Sequence, residues 1–440
     1  MNLNLEDFSH FPIPTPEEWT QQILKDLKLD SLDSLKHTTD WGYTQEVFYY
    51  QNNHPQPVLF DGSFRFFSYI PFHASGREMN ARILHALQLG ATGLCIDLSK
   101  QVDNANEILS NVQEDILKIF FLLSNDTFYS LKKENPAFFE KYSSSFLLDP
   151  LSLALRYGEW HSGRTEDFVC LEDEIPVFAD ASLYKEAGAN VLQQLTFALL
   201  HLYELLLHYP ERRAKDVVIH VRFSQGISFF EEIAKLRAFR RLIPELEKIF
   251  GIKARWYLHG VHSLQYASPS DPYNNLLRLT TQAVSAIAGT CEYFTSLPFD
   301  LGFRDWNRFS AALAVQMMHT LCEESFLHRL QDAVCGSYYV EALTDELVNR
   351  AREDWKKWQE KGMLYLIENG IIQQHISQQC CKTAEEYRSG KKKLIGENIF
   401  PAPEWMDKFS APRNIFIKGN HFPALNPVYW FDFLQHEEQK

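Results

Sequence analysis

The run Val217-Val218-Ile219-His220-Val221-Arg222-Phe223, then Ser228 to Phe250 (SFFEEIAKLRAFRRLIPELEKIF), then Lys253-Ala254-Arg255-Trp256-Tyr257-Leu258, reads as strand, helix and strand in immediate succession. The first and last runs are short, rich in β-branched and aromatic residues, and bounded by turn residues. Between them Ile227, Phe230, Ala234, Leu242 and Leu246 recur at helical spacing, and Ser228 with Glu231 has the form of a capping box. A strand followed by a long helix and another strand implies a parallel crossover.

Working outward, the same alternation repeats. Short apolar runs fall at Phe64–Ile70, Gly93–Leu98, Ile119–Leu123, Ser145–Leu148, Ile175–Ala179 and Cys291–Leu297, making eight with the two above. Segments of helical period lie between them, among them Arg77–Leu89 and Lys185–His208, and Asp271-Pro272 predicts a further helix start. Eight such units match an α/β fold of the (β/α)8, TIM-type class. A doubly wound open sheet is the alternative that periodicity alone leaves open. Three regions follow: an N-terminal helix and extended arm over 1–57, the barrel over 58–383, and a C-terminal tail over 384–440. The arm opens with Thr15, Pro16 and Glu18, a capped helix start expected to run through Leu27.

The formal net charge of -14 argues against nucleic acid or an anionic membrane as partner. The basic runs Arg237–Arg241 and Lys391–Lys393 read as solvated faces. Aromatic residues make up 14% of the chain, which predicts a large, well-filled core. Seven cysteines without regular spacing read as reduced thiols, and Met1–His10 lacks the pattern of a signal peptide, so a cytoplasmic location is expected. No stretch reaches the roughly 18 apolar residues of a membrane span.

Few constellations carry chemistry. His259 and His262 have a spacing that can hold a metal on a helix, but they fall at a strand end, where they read as a polar pair at the barrel mouth. His220 and Arg222 share one face of a strand; inward they meet a ligand, outward they pack on a helix. Glu341, Asp345 and Glu346 look like paired carboxylates, but Asp345 and Glu346 follow Thr344 and fit the first turn of a helix, where they complement its dipole.

Four collinear segments resemble the methylmalonyl-CoA mutase family. They are Asp149-Pro150-Leu151 with Glu186-Ala187-Gly188-Ala189; Phe229 to Ala238 (FFEEIAKLRA); Asp271 to Arg278 (DPYNNLLR) with Leu297-Pro298-Phe299-Asp300; and Gly336 to Thr344 (GSYYVEALT) with Ile395-Gly396-Glu397-Asn398. The resemblance implies a barrel that, in catalytic members, threads acyl-CoA along its axis beside a separate adenosylcobalamin domain marked by Asp-x-His-x-x-Gly. That domain is expected to be absent, since about 40 residues follow Asn398. The string Pro71-Phe72-His73-Ala74-Ser75-Gly76 has Pro71 in place of the aspartate.

The resemblance also places Ser182 and Leu183 where catalytic members carry a Tyr-His pair, whose histidine hydrogen-bonds the thioester carbonyl. Leucine has no hydrogen bond to give. Tyr184 and Lys185 stand close enough that a local shift puts one of them there. Phe66-Phe67-Ser68-Tyr69-Ile70 replaces an Arg- and Gln-bearing motif, Gln265 and Tyr266 stand for Trp and Asn, Cys335 for Gly, and Ala333 for Pro. The implied role is a small, catalytically silent subunit that binds no cofactor or metal itself. It pairs as a heterodimer with a homologous large subunit holding adenosylcobalamin, or as a homodimer in its absence, and apolar residues such as Leu183 are expected to fill the channel. The competing expectations are a barrel enzyme whose cobalamin domain is a separate polypeptide, and a homodimeric acyl-CoA-binding scaffold.

Overall fold

A computed structural model describes residues 14–50, 57, 64–172, 175–209, 217–329, 331–401 and 418–435. Met1–His10, and parts of the arm and tail, lie outside the described residues. The chain opens with α1 (Pro16–Leu27), whose Thr15 and Glu18 form the expected capping box. A short hairpin follows, β1 (His37–Thr38) with β2 (Thr44–Gln45). It leads to Trp41, which is buried and donates its indole N–H to Glu231 at 3.0 Å. The Arg350 guanidinium lies 5.2 Å from the Trp41 ring centre, and so pins the arm to the barrel.

Eight parallel strands build the barrel: β3 (Arg65–Ile70), β4 (Gly93–Leu98), β5 (Lys118–Leu123), β6 (Phe146–Leu147), β7 (Val177–Asp180), β8 (Val218–Gln225), β9 (Arg255–His262) and β10 (Tyr293–Ser296). They pair in the order β6-β5-β4-β3-β10-β9-β8-β7. First and last barrel strands are therefore neighbours, which an open doubly wound sheet does not give, and the ring is incomplete only between β6 and β7. All eight expected strands are present.

Helices α2 (Gly76–Gln88), α3 (Asn125–Glu134), α4 (Pro136–Tyr142), α5 (Pro150–Tyr157), α6 (Ser182–Glu186), α7 (Val191–Leu207) and α8 (Phe229–Phe250) alternate with the strands. Then come α9 (Asn274–Ala288), α10 (Arg308–His319), α11 (Tyr338–Gln359), α12 (Met363–Glu368), α13 (Ile371–Arg388) and α14 (Trp430–Gln435). Period-2 alternation sorts each strand into two cores. On β8, Ile219, Val221 and Phe223 pack outward under the helices, while His220 and Arg222 point into the barrel, the inward of the two orientations open from sequence.

Several local expectations are corrected. The helix expected over Lys185–His208 is two, because Gly188 takes φ 104°, and a side chain there would press on Cys380; Asn190 and Gln193 then cap α7 as a box. Ser228 precedes α8 but makes no side-chain cap, and the Glu231 carboxylate accepts the Trp41 indole N–H rather than closing a capping box. Helix α9 starts at Asn274, two residues beyond Pro272, because Asp271 accepts from the Asn274 side chain in a preceding turn. Asp345 and Glu346 lie in the interior of α11, which begins at Tyr338, so only Glu341 is in a first turn.

The run Arg237–Arg241 is not a solvated face. Arg237 is fully buried against Glu341 (2.6 Å) and Asp332, and Arg240 holds Glu292 at 2.6 Å. Arg241 joins Glu341 and Asp345, so the arginines bolt α8 to α11. Lys392 likewise pairs with Asp40 of the arm. The tail expected from Ala384 starts, as helix, inside α13, where Ala384 is buried. Residues 418–435 return to the barrel, with Phe422, Leu425, Trp430 and Phe431 buried.

Candidate functional site at the barrel mouth

The carboxyl ends of the strands surround a cavity of about 440 Å³, where barrels of this class place their sites. Its chemistry centres on Asp180, the last residue of β7. Arg222, two strand positions up β8 from His220, donates Nε to Asp180 Oδ1 at 2.9 Å and Nη2 to Oδ2 at 2.5 Å. Arg156, from the last turn of α5, adds a bond of 2.8 Å to Oδ2. Ser182 caps Oδ1 with its backbone N–H at 3.2 Å and with its hydroxyl. Burial alone raises a carboxyl pKa, but Arg222 and then Arg156 hold Asp180 well below the carboxylate range. Across the cavity Tyr69 donates its hydroxyl to Asp97 at 2.8 Å.

Beneath this polar layer the barrel axis is filled. His220 Nδ1 and His259 Nε2 are 2.6 Å apart, so one ring donates and the other accepts. Burial, and then Lys118, pushes His220 down to about 3, and burial pushes His259 well below its usual value, so both are neutral. Phe120 lies 5.3 and 5.0 Å from the two imidazoles, Tyr257 stacks on His220 at 5.0 Å, and Tyr293 meets His259 at 4.8 Å. Phe67, Cys95, Leu147 and Phe178 complete the plug.

His259 and His262 are not a pair at the mouth. An odd separation on a strand sends side chains to opposite faces. His262 accepts the Leu297 N–H at Nδ1 (3.1 Å) and donates Nε2 to the Leu279 carbonyl (3.0 Å). Among the described residues, no group of three or more His, Cys, Asp or Glu is placed to hold a metal ion.

Ser182 lines the cavity, as its motif position suggests, but Leu183 packs into the core under the helices and does not fill the channel. Nor do Tyr184 and Lys185 line the cavity. Tyr184 is buried, its hydroxyl 3.0 Å from His201 Nδ1, while Lys185 sits 3.5 Å from Glu232 and 5.9 Å from the Tyr266 ring centre. Sequence reading missed Asp180, Arg156 and Asp97; a carboxylate ending a barrel strand was the available signal for the first and last.

It also missed the lid. The segment around Leu425–Trp430 crosses the mouth by three backbone bonds: Leu425 N–H to Leu155 O (2.7 Å), Val428 N–H to Glu186 O (2.7 Å) and Trp430 N–H to Gln265 O (2.9 Å). Pro427 and Tyr429 thereby become walls of the cavity.

Fold and site together define a (β/α)8-barrel protein with a lidded, charge-paired mouth and an aromatic plug on its axis. A sequence model of the family described as methylmalonyl-CoA mutase matches residues 174–414. The chain belongs to the methylmalonyl-CoA mutase family. It is 26% identical to the methylmalonyl-CoA mutase small subunit of Porphyromonas gingivalis, covering 90% of this chain and 71% of that one. Against the small subunit of Streptomyces virginiae it is 32% identical over 50% of this chain and 37% of the relative. The large subunit of Porphyromonas gingivalis is 32% identical over 41% of this chain and 26% of its own length.

Proposed function

We propose that this chain is the small, catalytically silent subunit of an adenosylcobalamin-dependent methylmalonyl-CoA mutase. A homologous large subunit holds the cofactor and interconverts methylmalonyl-CoA and succinyl-CoA, and the pair works in the cytoplasm. The observation that carries this reading is the plug. A thioester threaded along the axis needs the space that Phe120, His220, His259 and Tyr293 occupy. The names of the relatives support it, since both small and large subunits occur in this family.

The described residues do not fit cobalamin. In the string that comes nearest to the family's cobalt-ligating motif, His73 accepts the Ser75 N–H at Nδ1 (3.1 Å) within its own turn, and Pro71 replaces the aspartate that would orient the ring. Catalytic silence is supported by the chain's own groups: Leu183 is turned away from the cavity into the core, and Asp180, Arg222 and Arg156 already satisfy one another.

The test is co-expression with a large subunit carrying Asp-x-His-x-x-Gly, followed by size-exclusion chromatography. Co-elution as a one-to-one complex supports the subunit role. Two separate peaks, with this chain eluting as a homodimer, favour the scaffold reading.

A further inference from the structure

Tyr429 is a wall of the mouth cavity and also of two neighbouring cavities. One, of about 710 Å³, lies between α13 and the lid segment; the other, of about 890 Å³, lies beside the loop that follows β10. Among the described residues, no other side chain lines all three. The cavity against α13 is walled mainly by apolar groups, among them Ile376, Pro423, Leu425 and Val428, whereas the mouth carries Arg156, Asp180 and Arg222. One ring thus parts an apolar space from a charged one.

The backbone beneath that ring is fixed. The Val428 and Trp430 N–H groups on either side of it are bonded to the Glu186 and Gln265 carbonyls at 2.7 and 2.9 Å, and the buried Trp430 ring lies 5.5 Å from Tyr387. The ring itself is held far less. Its hydroxyl makes no hydrogen bond among the described residues; burial, and then Glu186 and Asp432, push it up to about 12, so it stays protonated and no ion pair restrains it. The close neighbour is Gly302, where a Cβ would lie 3.0 Å from the ring. A ring with empty space against three of its faces forfeits the contacts that keep core side chains in one rotamer. Turning to another staggered well moves it out of the partition without breaking either backbone bond.

We propose that Tyr429 is a swinging gate between the mouth and the apolar cavity against α13, through which a small molecule passes when the ring turns. The gate belongs to this chain alone and does not rest on the subunit role, so its test reads thiol labelling rather than mutase activity.

Leu122→Cys places a thiol in the mouth, on β5. Its reaction with methyl methanethiosulfonate is followed in the full chain by peptide mass spectrometry. Buried Cys291, which lines none of the three cavities, reports global unfolding in the same samples. Tyr429→Ala should speed labelling at position 122 by at least about tenfold while Cys291 keeps its rate. Tyr429→Phe, which loses only the unbonded hydroxyl, should label as the unaltered ring does. If Tyr429→Ala does not fold, Tyr429→Leu, which keeps apolar bulk without the reach of the ring, decides by the same comparison. Equal labelling at position 122 with and without the ring, or an acceleration that Cys291 shares, overturns the gate.

Discussion

Asp149 Oδ2 accepts the backbone N–H of Asp180 at 2.7 Å, across the gap where β6 and β7 share no ladder hydrogen bonds. The other oxygen caps α5 through the N–H groups of Leu151 and Ser152, at 3.1 and 3.0 Å, and accepts His201 Nε2 at 3.0 Å. One buried carboxylate thus staples the open seam and sets Asp180 at the mouth. Replacing it leaves several buried donors unmatched. Asp149→Ala is expected to lower stability by about 3 kcal/mol, read as a shift in the urea midpoint. A loss under about 0.5 kcal/mol contradicts the staple.

The Asp180 cluster predicts an asymmetry between its two arginines. Asp180→Asn strands Arg222, whose side chain is 12% exposed, and should cost about 3 kcal/mol. Arg156 is 40% exposed, so Arg156→Gln should cost less than about 1 kcal/mol. Equal losses in urea titrations of the two variants would show that solvent, not Asp180, balances Arg222.

The histidine plug predicts a pH effect with a definite sign. The folded state holds His220 near 3, and an unfolded histidine titrates near its usual 6.5, so between these values the unfolded chain binds the extra proton. This contribution is fully present above about 6.5 and is lost as pH falls toward 3. Glu231, raised to about 7 chiefly by burial, pulls the opposite way, since its folded form binds the extra proton. The readout is therefore a difference. Unfolding free energy of His220→Phe should fall less steeply than that of the unaltered chain from pH 6 to 4.5, by about 1.4 kcal/mol per pH unit. Parallel profiles would mean that His220 is not held neutral.

Much of the fold was legible because strand and helix periods differ and because each strand here is short and clearly bounded. The eight strands needed only that alternation. What stayed hidden depends on contacts distant in sequence. Arg237 looks like part of a solvated basic run until α11 supplies Glu341 from about 100 positions away. Glu231 looks like half of a capping box until Trp41 claims it. The mouth was harder still. Ser182 could be placed by motif, but the lid comes from Pro427 and Tyr429, in a segment whose proline-rich composition suggests only a tail.

Trp41 makes the arm separately testable. Trp41→Ala removes the Glu231 bond and the Arg350 stacking without touching the barrel strands. Amide exchange over residues 37–45 should speed up by at least about tenfold, while β8 and β9 keep their protection. Unchanged exchange in the arm would show that the Asp40–Lys392 and Gln45–Tyr339 contacts suffice to hold it.

The most direct test of the silent-subunit account is a mutase assay with methylmalonyl-CoA and adenosylcobalamin. This chain is assayed alone, with a separate cobalamin-binding polypeptide, and with the large subunit. The account predicts succinyl-CoA only when the large subunit is present, and the same turnover when this chain carries Asp180→Asn, provided the complex still forms. Succinyl-CoA formed by this chain with the separate cobalamin-binding polypeptide alone would contradict it, and would make the barrel an enzyme in its own right.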